Sequence, residues 1–100
     1  MDYQATEQAY AQRVLRQVLN IFRTRSTVVI SGEWLDVQIG EMEFRLKAPT
    51  SRAVRWEVQR RRVGQSVFMP MDQVGSISVA CTIIVREVAA DLMRAAMAGE

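Results

Sequence analysis

Two runs of alternating apolar and polar residues, separated by a glycine-containing pair, constrain the fold of this chain more than any other feature. The runs are Leu35–Ile39 and Met42–Lys47. In each run every second residue is apolar, so the apolar side chains share one face of an extended strand. A short turn at Gly40-Glu41 then joins the two strands into an antiparallel β-hairpin with one buried face.

The segments before the hairpin predict a helix and a further extended segment. Within residues 4–24, apolar residues recur three and four positions apart, which places them on one face of a helix. They are Ala11, Val14, Leu15, Val18, Leu19, Ile21 and Phe22. The β-branched run Thr27–Ile30 favours an extended conformation, which Ser31-Gly32 interrupts.

Residues 50–71 support two interpretations. Every second residue from Val54 to Val58 is apolar, which favours a strand, with Ser66–Met69 as its hairpin partner across Gly64. A helix starting after a hydroxyl cap at Thr50 is the alternative. The alternation favours the strand, and the choice between strand and helix stays open for residues 52–63.

A long helix is predicted from Gln73 or Ser76 to Ala98, and it is apolar on two sides. One side consists of Ile77, Cys81, Ile84, Val85, Val88, Leu92 and Ala95. The opposite side consists of Val79, Ile83, Ala90, Met93 and Met97, interrupted by Arg86 and Arg94. Such a helix is either packed on both sides within its own fold or covered by another chain. If another chain covers the helix, we predict a partner-binding surface on its outer side. A homodimer through this helix would use the same surface. Its residues are Val79, Ile83, Arg86, Met93 and Met97.

The residue types present restrict the chemistry that this chain can perform. It has no histidine, and histidine is the commonest general base and transition-metal ligand. Cys81, the single cysteine, lies on the apolar side of a predicted helix, where burial makes a thiol inert. Asp36, Glu43, Arg45 and Lys47 loosely resemble the acidic pair and lysine that surround Mg²⁺ in some nucleases. Such sites need a lysine two residues after the second acid, where this chain has Arg45, so cross-strand charge pairs on a solvated hairpin are the simpler interpretation. We therefore expect no enzymatic activity, no metal and no cofactor.

Arginines supply the alternative function. Between positions 45 and 62 the sequence has seven cations and one carboxylate. A basic surface could attract phosphates, with Trp56 stacking on a base. The residues of that predicted surface are Arg52, Arg55, Arg60, Arg61 and Arg62. The whole chain has a net charge of only +2, which is low for a dedicated nucleic-acid-binding protein.

The stretch from Val37 to Thr50 resembles the hairpin opening of small tail assembly chaperones of tailed phages, and the resemblance extends over residues 37–98. It implies a non-enzymatic protein that shields apolar surfaces of a tail component during assembly. It also implies helices at residues 51–63 and from Asp72 onward. Small phage-encoded inhibitors of host proteins are similar in size and composition.

Together these patterns predict one α+β domain over residues 1–100. Its parts are an N-terminal helix, an antiparallel sheet of three or four strands, and a long C-terminal helix packed on the sheet. The first residues are polar and acidic, unlike a signal peptide, and one cysteine allows no intrachain disulfide. The longest uncharged apolar stretch, Val74–Val85, is too short to span a bilayer. We expect a cytoplasmic protein that binds another protein and no membrane.

Overall fold

The computed structural model describes residues 3–99 and has two helices and five strands in this part of the chain. The elements are α1 (Tyr3–Leu19), β1 (Ser26–Ser31), β2 (Trp34–Ile39), β3 (Met42–Lys47), β4 (Trp56–Arg62), β5 (Met69–Val74) and α2 (Ile77–Ala98). The strands form one antiparallel sheet in the order β1-β2-β3-β4-β5. The predicted α+β class is confirmed, with five strands where three or four were expected.

The predicted hairpin is β2 and β3, paired with Val37 opposite Phe44. Gly40 in its turn has a φ of +56°, a conformation that glycine adopts without strain. A second two-residue turn, with Gly32 at a φ of +61°, joins β1 to β2. The β-branched run therefore lies in β1, an edge strand of the same sheet. It is one of the five strands where three or four were expected.

Residues 56–62 form a strand, as the alternating pattern favoured, and not the helix that the tail-chaperone resemblance implies for residues 51–63. The predicted partner segment, Ser66–Met69, overlaps the observed one only at Met69, because β4 pairs with Met69–Val74. A register shift at Val58/Gln59 accommodates the longer connection. Pro70 lies in β5, an edge strand, which is where a sheet tolerates proline.

Both helices pack on one face of the sheet and enclose a single core. Trp56 is only 2% exposed in that core, so its ring is not available to stack on a base. Helix α1 ends at Leu19 and not at residue 24, because the following N–H groups bond to carbonyls three residues back. As a result Ile21, which the helical pattern placed on the buried face, is 67% exposed.

A row of polar side chains on α1 covers the outer edge of the sheet at β1. Gln8 donates from Nε2 to the Gly32 carbonyl (2.9 Å), and Gln12 donates to the Val28 carbonyl (2.9 Å). Arg16 donates to the Val28 carbonyl as well, at 3.2 Å. The four-residue spacing of these donors aligns them along one side of the helix. The two bonds to Val28 satisfy a carbonyl group that an edge strand otherwise leaves open to another chain, and the bond from Gln8 ties α1 to the turn after β1.

Removal of both donors to the Val28 carbonyl is predicted to cost more stability than the two single removals together. Gln12→Ala and Arg16→Ala each leave one donor, so each is expected to change the free energy of unfolding by less than about 0.5 kcal/mol. The double variant leaves a carbonyl of a buried residue without a partner, and we expect a loss of about 1–2 kcal/mol. Urea denaturation of the four proteins measures this coupling, with the exposed Gln17→Ala as control. Strict additivity would contradict the proposed role of the two side chains.

Candidate functional site

The outer face of the sheet, which no helix covers, has its aromatic rings in contact with cations of the same chain. The Arg45 guanidinium carbon lies 4.4 Å from the ring centre of Trp34 and 4.5 Å from that of Phe68. Arg61 lies over Phe68 at 4.2 Å, and the Lys47 amine lies 5.8 Å from the Trp34 ring centre. Because these cations occupy positions over the ring faces, the rings do not form an open stacking surface.

The carboxylates of this face are also matched with cations. Glu43 lies 2.8 Å from Arg61, and Asp36 lies 3.9 Å from Nε of Arg45. That Nε atom is shielded from solvent and has no hydrogen-bond partner, so the contact with Asp36 is electrostatic. Lys47 lies 3.6 Å from Glu33. The geometry matches the cross-strand charge pairs expected of a solvated hairpin, and within residues 3–99 no three potential metal ligands lie together.

The sheet distributes the five predicted basic residues over different surfaces. Since side chains alternate along β4, Arg60 and Arg62 lie on the helix side of the sheet and Arg61 on the outer side. Arg52 and Arg55 lie in the exposed connection between β3 and β4. The sequence pattern had grouped all five, because it did not determine which face each arginine would occupy.

Ion pairs with α2 hold the arginines on the helix side. Arg60 binds Glu87, and Arg62 binds Asp91. Asp91, whose side chain is 14% exposed, also lies 3.6 Å from Arg94. A cavity of about 260 Å³ beside these pairs is lined by Met42, Arg60, Arg61, Arg62, Gln65, Met69 and Arg94. The acidic residues Glu87 and Asp91 thus attach α2 to β4, a contact that the sequence pattern does not predict.

Helix α2 begins where the sequence predicted, because the Ser76 hydroxyl accepts a hydrogen bond from the Val79 N–H at 3.3 Å. Its inner side is buried at Ile77, Ala80, Cys81, Ile84 and Val88. Burial raises the pKa of the Cys81 thiol, and the side chain packs in the core.

The opposite side of α2 brings the predicted partner-binding residues into one line. We call Val79, Ile83, Arg86, Ala90, Met93 and Met97 the α2 stripe. Val79 is 47% exposed, Met93 64% and Met97 69%, while Ile83 is half-buried against the core. Arg86 is exposed and forms no ion pair within the described residues. Four of the five predicted residues are therefore accessible to a partner, and Ile83 is shared between the partner surface and the core.

The C-terminal part of α2 is exposed, although Arg94 still lines the cavity beside β4. Residues 93–99 are exposed, including Ala95, which the pattern placed on the buried side. The helix has 22 residues and is therefore about 33 Å long, whereas strands of six or seven residues span about 20 Å. The difference in length explains the wrong assignment of Ala95, and it leaves Met93 and Met97 on a projecting helical segment.

Comparison of the chain with protein-family models, curated proteins and solved structures found no match. Neither helix in the described part of the chain combines the length and apolar character that a membrane crossing requires.

Proposed function

We propose that this protein is a non-enzymatic protein-binding module whose binding surface is the α2 stripe. The observation that supports the proposal is the alignment of large exposed apolar side chains along one side of a single helix, where Met93 and Met97 are 64% and 69% exposed. Single exposed apolar residues are common on soluble proteins, but an aligned set indicates a contact surface. Methionine suits such a surface because its flexible side chain adapts to the partner.

Burial of the apolar side chains of the α2 stripe is the main driving force for binding in this proposal. Full burial of a valine or methionine side chain contributes about 1.5–3 kcal/mol. Several such side chains together offset part of the cost of association, about 4–15 kcal/mol. A surface of this kind serves an assembly chaperone that shields an apolar segment, or an inhibitor that occupies a partner's binding groove. As part of the proposal we place this role in the cytoplasm, because the single cysteine offers no disulfide.

Nucleic-acid binding remains the second candidate, supported by the exposed loop arginines. Arg52 and Arg55 form no ion pair within the described part of the chain. If they bind phosphates, affinity falls steeply with salt and is reduced by Arg52→Ser with Arg55→Ser. An affinity that hardly changes with salt would exclude phosphate contacts as the source of binding.

The decisive experiment is an affinity pull-down from source-cell lysate, with and without nuclease, read by mass spectrometry. We expect a stoichiometric protein that survives nuclease treatment and is lost with the double variant Val79→Glu, Ile83→Glu. Because Ile83 is half-buried, the more exposed pair Met93→Glu, Met97→Glu tests the same surface without disturbing the core. Val54→Glu with Val67→Glu is the matched control, since both valines are exposed outside α2.

Recovery that disappears with nuclease would contradict the proposal and favour the arginine surface. Equal recovery by the folded α2 variants and the control would show that the partner binds elsewhere. Circular dichroism and the unfolding midpoint of each variant establish that it is folded before the comparison is made.

A further inference from the structure

We infer that the partner of the α2 stripe is a second copy of this chain, with the two α2 helices antiparallel. The inference rests on the proposed function, because it uses the same surface and adds the identity of the occupant. In the predicted arrangement Val79 faces Met97 of the other copy and Ile83 faces Met93, while Arg86 faces Ala90. The two copies contact each other through the sides of α2 that point away from their sheets.

The spacing of the α2 stripe supports helix-on-helix pairing. Successive members are separated by four, three, four, three and four residues. This alternation of threes and fours is the repeat with which two helices keep one seam in contact over several turns. The intervals are the same when read from either end, so an antiparallel copy places every member opposite another member.

The single charge in the α2 stripe favours the antiparallel orientation. In a parallel pair the seam brings Arg86 against Arg86, and two like charges at the centre of an interface oppose association. The antiparallel pair instead places each Arg86 opposite the small Ala90. There the long arginine side chain can lie along the neighbouring helix with its charge in solvent.

The projecting end of α2 supports the same orientation. Residues 93–99 are exposed, and neither Met93 nor Met97 packs against the core. In an antiparallel pair, Met93 and Met97 of each copy cover Ile83 and Val79 of the other, at the end of α2 that is attached to the domain. A parallel pair would leave both projecting segments in contact only with each other, beyond the two domains.

The size of the contact sets the expected affinity. Each helix offers a strip about 33 Å long and about 10 Å wide. Two such strips total about 660 Å², below the roughly 1,200 Å² of standard specific interfaces and in the range of weak, transient contacts. We therefore expect a weak dimer that is populated only at high protein concentration, and not an obligate one.

Cysteine cross-linking of purified full-length protein tests the geometry. In a Cys81→Ala background, a protein with Val79→Cys is mixed with a protein with Met97→Cys under mild oxidation. We expect about tenfold more covalent dimer in the mixture than in either protein alone, because only the mixed pair brings the two Cβ atoms within disulfide reach. Sedimentation equilibrium of the wild-type protein and of Met93→Glu, Met97→Glu follows the non-covalent dimer.

The outcomes separate this inference from the proposed function. Covalent dimers of Met97→Cys alone would overturn the antiparallel orientation. A wild-type protein that stays monomeric at several hundred micromolar would overturn self-association. A third outcome is that the monomer still binds another protein in the pull-down and that the α2 variants lose that protein. In that case the inference of a second copy is wrong, but the α2 stripe is still the binding surface.

Discussion

Replacement of Trp56 with alanine is expected to lower the free energy of unfolding by about 3–5 kcal/mol. Trp56 is among the largest fully buried side chains, and it begins β4 opposite Val74 of the neighbouring strand. Its removal leaves a cavity between the sheet and the helices that the surrounding side chains can fill only in part. Urea denaturation followed by far-ultraviolet circular dichroism measures the loss.

The other tryptophan is the matched control. Trp34 is half-buried on the outer face, where it contacts Arg45 and Lys47, so Trp34→Ala is expected to cost only about 1–2 kcal/mol. A Trp56→Ala protein with unchanged stability but reduced nucleic-acid affinity would contradict the assignment of Trp56 to the core.

A charge reversal at Asp91 is expected to destabilise the protein by about 2–3 kcal/mol. Asp91 is the mostly buried acceptor for Arg62 and lies 3.6 Å from Arg94, so Asp91→Arg replaces an attractive site with three like charges. Arg62 and Arg94 are 52% and 63% exposed at their side chains, and solvent screening limits the cost. Urea denaturation at low and moderate salt measures the effect, which we expect to shrink as salt increases.

Exchanging the two charges tests whether the lost stability comes from the broken ion pair or from general damage to the helix. In the double variant Arg62→Asp, Asp91→Arg the pair is restored with opposite polarity, and we expect at least half of the lost stability to return. A double variant less stable than Asp91→Arg alone would show that the contact between α2 and β4 does not depend on this pair.

The fold was largely predictable because periodicity alone distinguishes its main elements. Apolar residues at every second position, as in β2 and β3, share one face only in a strand. Apolar residues three and four positions apart, as in α1 and α2, share one face only in a helix. The segment around β5 was not predictable in the same way. Met69–Val74 contains a proline and an aspartate and has little alternation, and the bulge at Val58/Gln59 alters its register.

The candidate site was predictable in part. The two-sided pattern of α2 identified the α2 stripe, but it could not show that the sheet ends before the helix does. It also could not assign Arg60 and Arg62 to the helix side, since a polar residue at an inward position becomes favourable only when a carboxylate such as Glu87 is opposite. The contacts of Trp34 with Arg45 and Lys47 depend likewise on the strand register.

Site-specific photo-crosslinking in source cells is the measurement that tests the central claim most directly. One protein carries a photoreactive side chain in place of Met97, in the α2 stripe, and a second carries it in place of Gln73, which is exposed on β5. The account predicts nuclease-resistant protein adducts, to a second copy or to another protein, from position 97 and not from position 73. Adducts only from position 73, or none from position 97 in a folded protein, would contradict the assignment of α2 as the binding surface.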